Sequence, residues 1–158
     1  MQIADFGCGA GHIAILIAQR AGENGKVTAF DILEDKLDSV RVRAKAAGLN
    51  NVETARANLE VLGSTGLAEQ SQDMVILVNI LFQSQKKSEI LKEAKRVLKP
   101  SGTVVFVDWK KGTNGFGPPD ELRMDETAMQ ALFTNEGFIL GRKFEAGQFH
   151  YGLIFQRT

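Results

Sequence analysis

Residues 3–11 read Ile3-Ala4-Asp5-Phe6-Gly7-Cys8-Gly9-Ala10-Gly11, and an apolar run, His12-Ile13-Ala14-Ile15-Leu16-Ile17-Ala18, follows directly. A short apolar segment, a glycine-rich turn and a helix start imply a strand–turn–helix unit. Glycine lets the backbone take positive φ and lets a ligand approach the main chain closely. The helix N-terminus behind such a turn offers N–H groups and partial positive charge to a carboxylate or phosphate. A second acid, Asp31, closes the next strand-like run, Lys26-Val27-Thr28-Ala29-Phe30. It stands twenty residues beyond Gly11 (31 − 11 = 20), the spacing of a carboxylate that grips ribose hydroxyls.

Composition bounds the answer. With 158 residues, 44% hydrophobic and 24% charged, the chain is expected to form one domain, residues 1–158, with a proper core. Lys+Arg and Asp+Glu balance at 19 each, so charge points to no polyanionic partner. Cys8 is the one cysteine, which leaves no intrachain disulfide and favours a cytoplasmic setting. No apolar run approaches the roughly 20 residues of a membrane span, and no signal-peptide pattern is present. Two histidines and one cysteine make a zinc site unexpected.

Strand and helix signals alternate. Leu37, Val40, Ala44 and Ala47 recur at helical spacing up to Gly48. Val52–Ala55 reads as a short strand and Asp73–Val78 as one buried on both faces. Ser84–Leu98 is amphipathic and is expected to end at Pro100 and Gly102, ahead of a strand over Thr103–Val107. Asp125 is placed to cap a helix carrying Met129, Leu132 and Phe133 inward. Phe138–Phe144 and Phe149–Phe155 read as a hairpin. Lys110–Arg123, rich in Gly and Pro, is long for a connection, and a mobile lid is expected there. The lysines at 86, 87, 92, 95 and 99 read as a solvated helix face.

The glycine spacing separates two cofactors. In a dinucleotide fingerprint, G-x-G-x-x-G, the third glycine would fall on His12. The pattern present, D-x-G-x-G-x-G over Asp5–Gly11, resembles the first motif of class I S-adenosylmethionine (SAM)-dependent methyltransferases. Ala57-Asn58-Leu59, Asp73–Asn79 and the turn Arg96–Gly102 match further motifs in order, the last resembling the type 11 group. The resemblance covers nearly the whole chain. It implies an α/β, doubly wound, seven-stranded, mostly parallel sheet with an antiparallel C-terminal strand, here pictured as five βα units and a hairpin. It implies SAM as cofactor, with Asp5, Gly7, Gly9 and Gly11 around its methionine end and Asp31 on its ribose. Ile32, Asn58 and Leu59 would lie beside adenine, and Asn79 at the end of the fourth strand. Two departures stand out: the chain begins almost at the first strand, without the usual preceding helices, and Asn58 replaces an aspartate.

An antiparallel last strand starts at the edge where parallel strands end, which brings His150 and Tyr151 beside Trp109 and Lys110. His150 and Tyr151 are therefore candidates to take the acceptor's proton. Trp109, Lys110 and Phe116 are candidates to line its site. The expected activity is methyl transfer from SAM to an acceptor left open: a small molecule, a protein amine or RNA. The alternative is a SAM-binding module completed by a partner, with a homodimer as one form of it. No membrane partner is expected.

Overall fold

A computed structural model describes residues 1–113 and 115–158. Among them the chain forms β1 (Gln2–Phe6), α1 (His12–Ala21), β2 (Lys26–Asp31), α2 (Glu34–Ala46), β3 (Val52–Arg56) and β4 (Gln72–Val78). Then follow α3 (Lys87–Val97), β5 (Leu98–Trp109), α4 (Glu126–Asn135), β6 (Phe138–Glu145) and β7 (His150–Arg157). The strands build a seven-stranded sheet in the order β3-β2-β1-β4-β5-β7-β6. β1 to β5 run parallel, and β7 is antiparallel to both β5 and β6. The strand order reverses between β1 and β4, which opens a crevice at their C-terminal ends.

Both faces of the sheet are packed, and this is why β4 reads as an unbroken apolar run. On one face Ile3, Val27, Ala29 and Ile76 meet Ala14 and Ala18 of α1 and Val40 of α2. On the other, Phe6, Leu77, Phe106, Leu153 and Phe155 meet Ile90, Leu91 and Ala94 of α3 and Met129 and Phe133 of α4. Phe133 and Phe155 stack at 4.0 Å between centroids. Asp125 caps α4 by accepting the Ala128 N–H at 2.8 Å. No helix among the described residues is long and apolar enough to cross a membrane.

Two sequence expectations need correction. β3 is followed by no helix: residues 57–71 cross to β4 as a succession of turns. Gly63 and Gly66 take positive φ there, which a helix does not tolerate. A buried carboxylate holds this segment instead. Glu93 of α3, 0% exposed, accepts from Gly63 N–H at 2.7 Å and Thr65 Oγ1 at 2.5 Å. Arg96 donates to the same carboxylate at 2.9 and 2.8 Å and to the Leu67 carbonyl at 2.9 Å. The second correction concerns Pro100 and Gly102, which do not separate helix from strand. β5 begins at Leu98, directly after α3, and absorbs the turn as an irregularity with Ser101 at φ 61°.

Burial pushes the Glu93 carboxyl up, but Arg96, Thr65 and the Gly63 N–H outweigh it and hold it at about 2, against an ordinary 4.5. A depressed carboxyl stabilises the fold above its unfolded value and loses that contribution as pH falls through the folded one. We therefore expect part of the stability to disappear between pH about 4.5 and about 2. Glu93→Gln should cost about 3 kcal/mol at neutral pH and flatten the acid limb. Urea melts at pH 7 and pH 3 check this, and a variant as stable as wild type at pH 7 would show that the stitch is dispensable.

Candidate active site

The turn between β1 and α1 is hooked onto β2, because Gly7 and Cys8 both donate their N–H to the Phe30 carbonyl at 2.8 Å. Gly7, Gly9 and Gly11 all take positive φ, at 74°, 52° and 92°, yet each answers a different constraint. A Cβ on Gly7 would lie 1.9 Å from Ile80 Cδ1, and one on Gly11 would lie 2.7 Å from Val40 Cγ2. A Cβ on Gly9 would meet nothing within 4 Å, so this glycine faces open space. Its N–H donates to Asp31 Oδ2 at 3.0 Å, while Asp31 Oδ1 accepts from Leu33 at 3.0 Å. Asp31 therefore sits at the mouth of the turn, and Leu33 occupies the N-cap of α2.

A cavity of about 730 Å³ opens at the C-terminal ends of β1, β2 and β4. Asp5, Gly7, Gly9, Asp31, Ile32, Asn58, Leu59 and Asn79 all line it. Gly11 does not; it is buried at the start of α1 against Val40, and its place in the motif is a packing requirement. Ile80, Gln83 and Ser84, in the turn after β4, complete the wall. Only their position just past a strand end at the switch point marked them in the sequence.

The cavity is rich in unsatisfied acceptors. Asp5 is 2% exposed, and its Oδ2 has no partner among the described residues. Burial first, and Asp31 second, push its carboxyl up to about 7. Asn79 holds φ 56° at the end of β4, and among the described residues its buried Oδ1 is also unpartnered. An αL asparagine at a strand end is a strained conformation of the kind that collects at binding sites. Two orphaned acceptors beside the Asp31 carboxylate suit a ligand that brings N–H and O–H donors and positive charge. Burial, Asp5 and Asp31 push the Cys8 thiol up to about 12, so it stays neutral and is no nucleophile.

The neighbouring edge is arranged differently from expectation. Val78 of β4 pairs with Val107, and β5 continues two residues further to Trp109, which pairs with His150 of β7. Trp109 thus overhangs the end of β4 by about 7 Å. Asp108, 2% exposed, turns to the opposite face and accepts from Phe82 N–H at 3.2 Å. It thereby holds the Leu81–Gln83 turn against the cavity.

Tyr151 is a core residue. It is 7% exposed and its ring packs on Phe106. Its hydroxyl donates to the Met124 carbonyl at 3.1 Å, and burial raises its pKa further. It is therefore unfit to take a proton. His150 lies on the other face, with its ring centroid 4.2 Å from that of Trp109. Burial and Arg123 lower its pKa, and its buried Nε2 has no partner among the described residues. Lys110 acts through its backbone, donating to the Phe149 carbonyl and accepting from Arg123, both at 2.8 Å. His150, Tyr151, Trp109, Lys110 and Phe116 do not line the cavity.

The expected lid is a laced loop. Arg123, 4% exposed, donates to the carbonyls of Lys110, Thr113, Phe116 and Pro118 at 2.5 to 3.0 Å. Its guanidinium also lies 5.4 Å from the Trp109 ring centroid. The sequence offered no periodic signal for a buried arginine inside a Gly/Pro-rich stretch.

Comparison with known proteins agrees with this geometry. Residues 1–151 match the family described as a methyltransferase domain. The chain is 32% identical over 129 residues to the arsenite methyltransferase of Aquipseudomonas alcaligenes, covering 79% of this chain and 36% of that protein. It is 30% identical over 123 residues to the demethylmenaquinone methyltransferase of Listeria welshimeri, covering 73% of this chain and 51% of that one. The chain thus spans 30% to 51% of the length of such curated relatives. A SAM-dependent methyltransferase structure from Aquifex aeolicus superposes on all of this chain and 82% of its own, with a TM-score of 0.91 at 27% identity. With the glycine turn, the ribose-spaced Asp31 and the acceptor-lined crevice in place, the chain belongs to the SAM-dependent methyltransferase family.

Proposed function

We propose that this chain binds SAM in the crevice between β1, β2 and β4 and supports methyl transfer to an acceptor at the adjoining β5 edge. The observation that carries this reading is the pair of acceptors left without partners among the described residues, Asp5 Oδ2 and Asn79 Oδ1, beside the Asp31 carboxylate and the open face of Gly9. Asp31 is placed to hold the ribose hydroxyls. Ile32, Asn58 and Leu59 take the adenine side, and Asp5 and Gly9 the amino-acid end. When bound, SAM supplies an electrophilic methyl on a sulfonium. The protein's task is then to hold the acceptor in line and exclude water, which contributes roughly 7–11 kcal/mol in well-oriented reactions. Asp108 serves this task at one remove by fixing the Leu81–Gln83 turn.

A cytoplasmic setting belongs to the same proposal.

One observation favours a second reading, a module completed by a partner or a second copy. The α1 face of β4, β5 and β7 carries half-buried Met74, Val78, Val105 and Ile154, beside Ile13 and Leu16 at 38% and 55% exposure. Specific activity that rises with protein concentration would support it.

Asp31→Ala should weaken SAM binding ten- to a hundred-fold, the loss of hydrogen bonds to a charged group at about 1.5–3 kcal/mol. Calorimetry reads this directly, and an affinity within twofold of wild type removes Asp31 from the site. Gly9→Val should abolish binding while the melt stays cooperative, because its side chain would enter the space the ligand needs. Binding retained at wild-type strength would contradict the cradle. Asp5→Asn should separate stability from function. Its carboxyl is raised from 3.8 to about 7, so the free protein loses stability as pH climbs through that window. The variant should melt higher than wild type at pH 7 yet bind SAM more weakly. A lower melting temperature would show that the carboxyl is satisfied in the fold.

A further inference from the structure

Four rings gather where β5 and β7 meet, beyond the end of β4. Trp109 and His150 lie 4.2 Å apart by centroid, Trp109 and Phe116 5.7 Å, and Phe116 and Phe149 5.2 Å. Phe116 is 60% exposed. An aromatic surface of this kind costs apolar exposure in the free protein. His150 Nε2 adds a buried polar atom with no partner among the described residues. Neither feature helps the fold; each is resolved by a ligand that covers the rings and supplies a hydrogen bond.

We propose that Trp109, Phe116, Phe149 and His150 form the acceptor subsite for a planar hydroxyaromatic ring, with Arg123 as its positioning residue. The proposal rests on the reading of the adjacent crevice as the SAM site. Three observations select this chemistry. The rings present stacking surface, which favours a flat unsaturated partner. The Arg123 guanidinium already lies over Trp109 at 5.4 Å, so a second cation such as a lysine ammonium is repelled, while an electron-rich neutral ring is not. The Nε2 atom can pair with the ring's hydroxyl from the start of β7, which lies beside the end of β5.

Arg123 makes the wall preformed. Its bonds to the carbonyls of Lys110, Thr113, Phe116 and Pro118 fix the loop that carries Phe116. That loop in turn clamps Trp109: a Cβ on Gly117 would lie 2.5 Å from the indole Cζ3. A wall held before the ligand arrives avoids the cost of ordering side chains on binding. Lysine cannot replace this arginine, because one ammonium cannot serve carbonyls spread along the loop.

Trp109 is the sole tryptophan of the chain, so its indole N–H gives one isolated signal in a ¹⁵N–¹H spectrum. The protein is titrated with 1-naphthol and, separately, with its saturated analogue decahydro-1-naphthol and with butylamine, in the presence of SAM. SAM binding is measured independently by calorimetry. The proposal requires 1-naphthol to shift the indole signal saturably and the other two probes to leave it unmoved. Phe116→Ala, at an exposed position, should weaken 1-naphthol binding about five-fold and leave SAM affinity unchanged. Arg123→Lys should weaken it more, and His150→Phe should weaken it while sparing stacking by unsubstituted naphthalene. If SAM binds but 1-naphthol does not, or the saturated alcohol or the amine shifts the signal equally, the subsite is wrong while the SAM reading stands. If SAM itself fails to bind, the underlying reading falls.

Discussion

The structure depends on one crowded backbone turn. Between β1 and α1 the chain must reverse direction within a few residues while two successive N–H groups share the Phe30 carbonyl. Ile80 presses on it from the end of β4 and Val40 from α2. Only residues without a Cβ fit at Gly7 and Gly11, so three parallel strands and a helix converge on this point with no room for side chains. Gly9 differs: its missing side chain leaves space that the fold does not use. A motif written as three equivalent glycines thus divides into two that build the crevice and one that faces its contents.

Buried charges organise the rest, and each is paired where it serves the fold. Glu93 and Arg96 replace a crossover helix by binding the turns between β3 and β4. A buried ion pair of this kind stays only if its remaining hydrogen-bonding groups are satisfied, and here Thr65, Gly63 and Leu67 satisfy them. Arg123 does the same for the loop after β5. Among the described residues, five buried side-chain atoms lack partners, on Asp5, Asn51, Ser64, Asn79 and His150. Three of them, on Asp5, Asn79 and His150, cluster along the C-terminal edge of the sheet, which is where a doubly wound fold binds its ligands. Unsatisfied groups at that edge suit a site whose last partners come from outside.

Much of this was legible beforehand. The order of elements, the seven strands and the antiparallel last strand followed from apolar periodicity and from the motif order, because parallel strands buried on both faces leave continuous apolar runs. The cavity residues from Asp5 to Asn79 were legible because ligand-binding positions in this fold lie at fixed offsets from strand ends. The expectation that His150 and Tyr151 share one cavity fails for a local reason. Tyr151 and His150 are adjacent in the chain, but successive strand residues point to opposite faces. Tyr151 went into the core with Phe106, and His150 went to the rim with Trp109.

What the sequence alone determined is the backbone plan: where the chain turns, which runs become strands, and which acid follows the second strand at ribose spacing. These are local properties, set by φ/ψ preference and by periodicity. Tertiary structure alone decided which polar groups are paired. Residues 57–71 abandon a helix because a carboxylate on α3, in a distant part of the sequence, takes up their N–H and hydroxyl groups. The Gly/Pro-rich loop becomes a fixed wall because Arg123 is carried back across it by the turn before α4. Hydrogen-bond satisfaction is a sum over partners brought together by folding, and no window of sequence contains that sum.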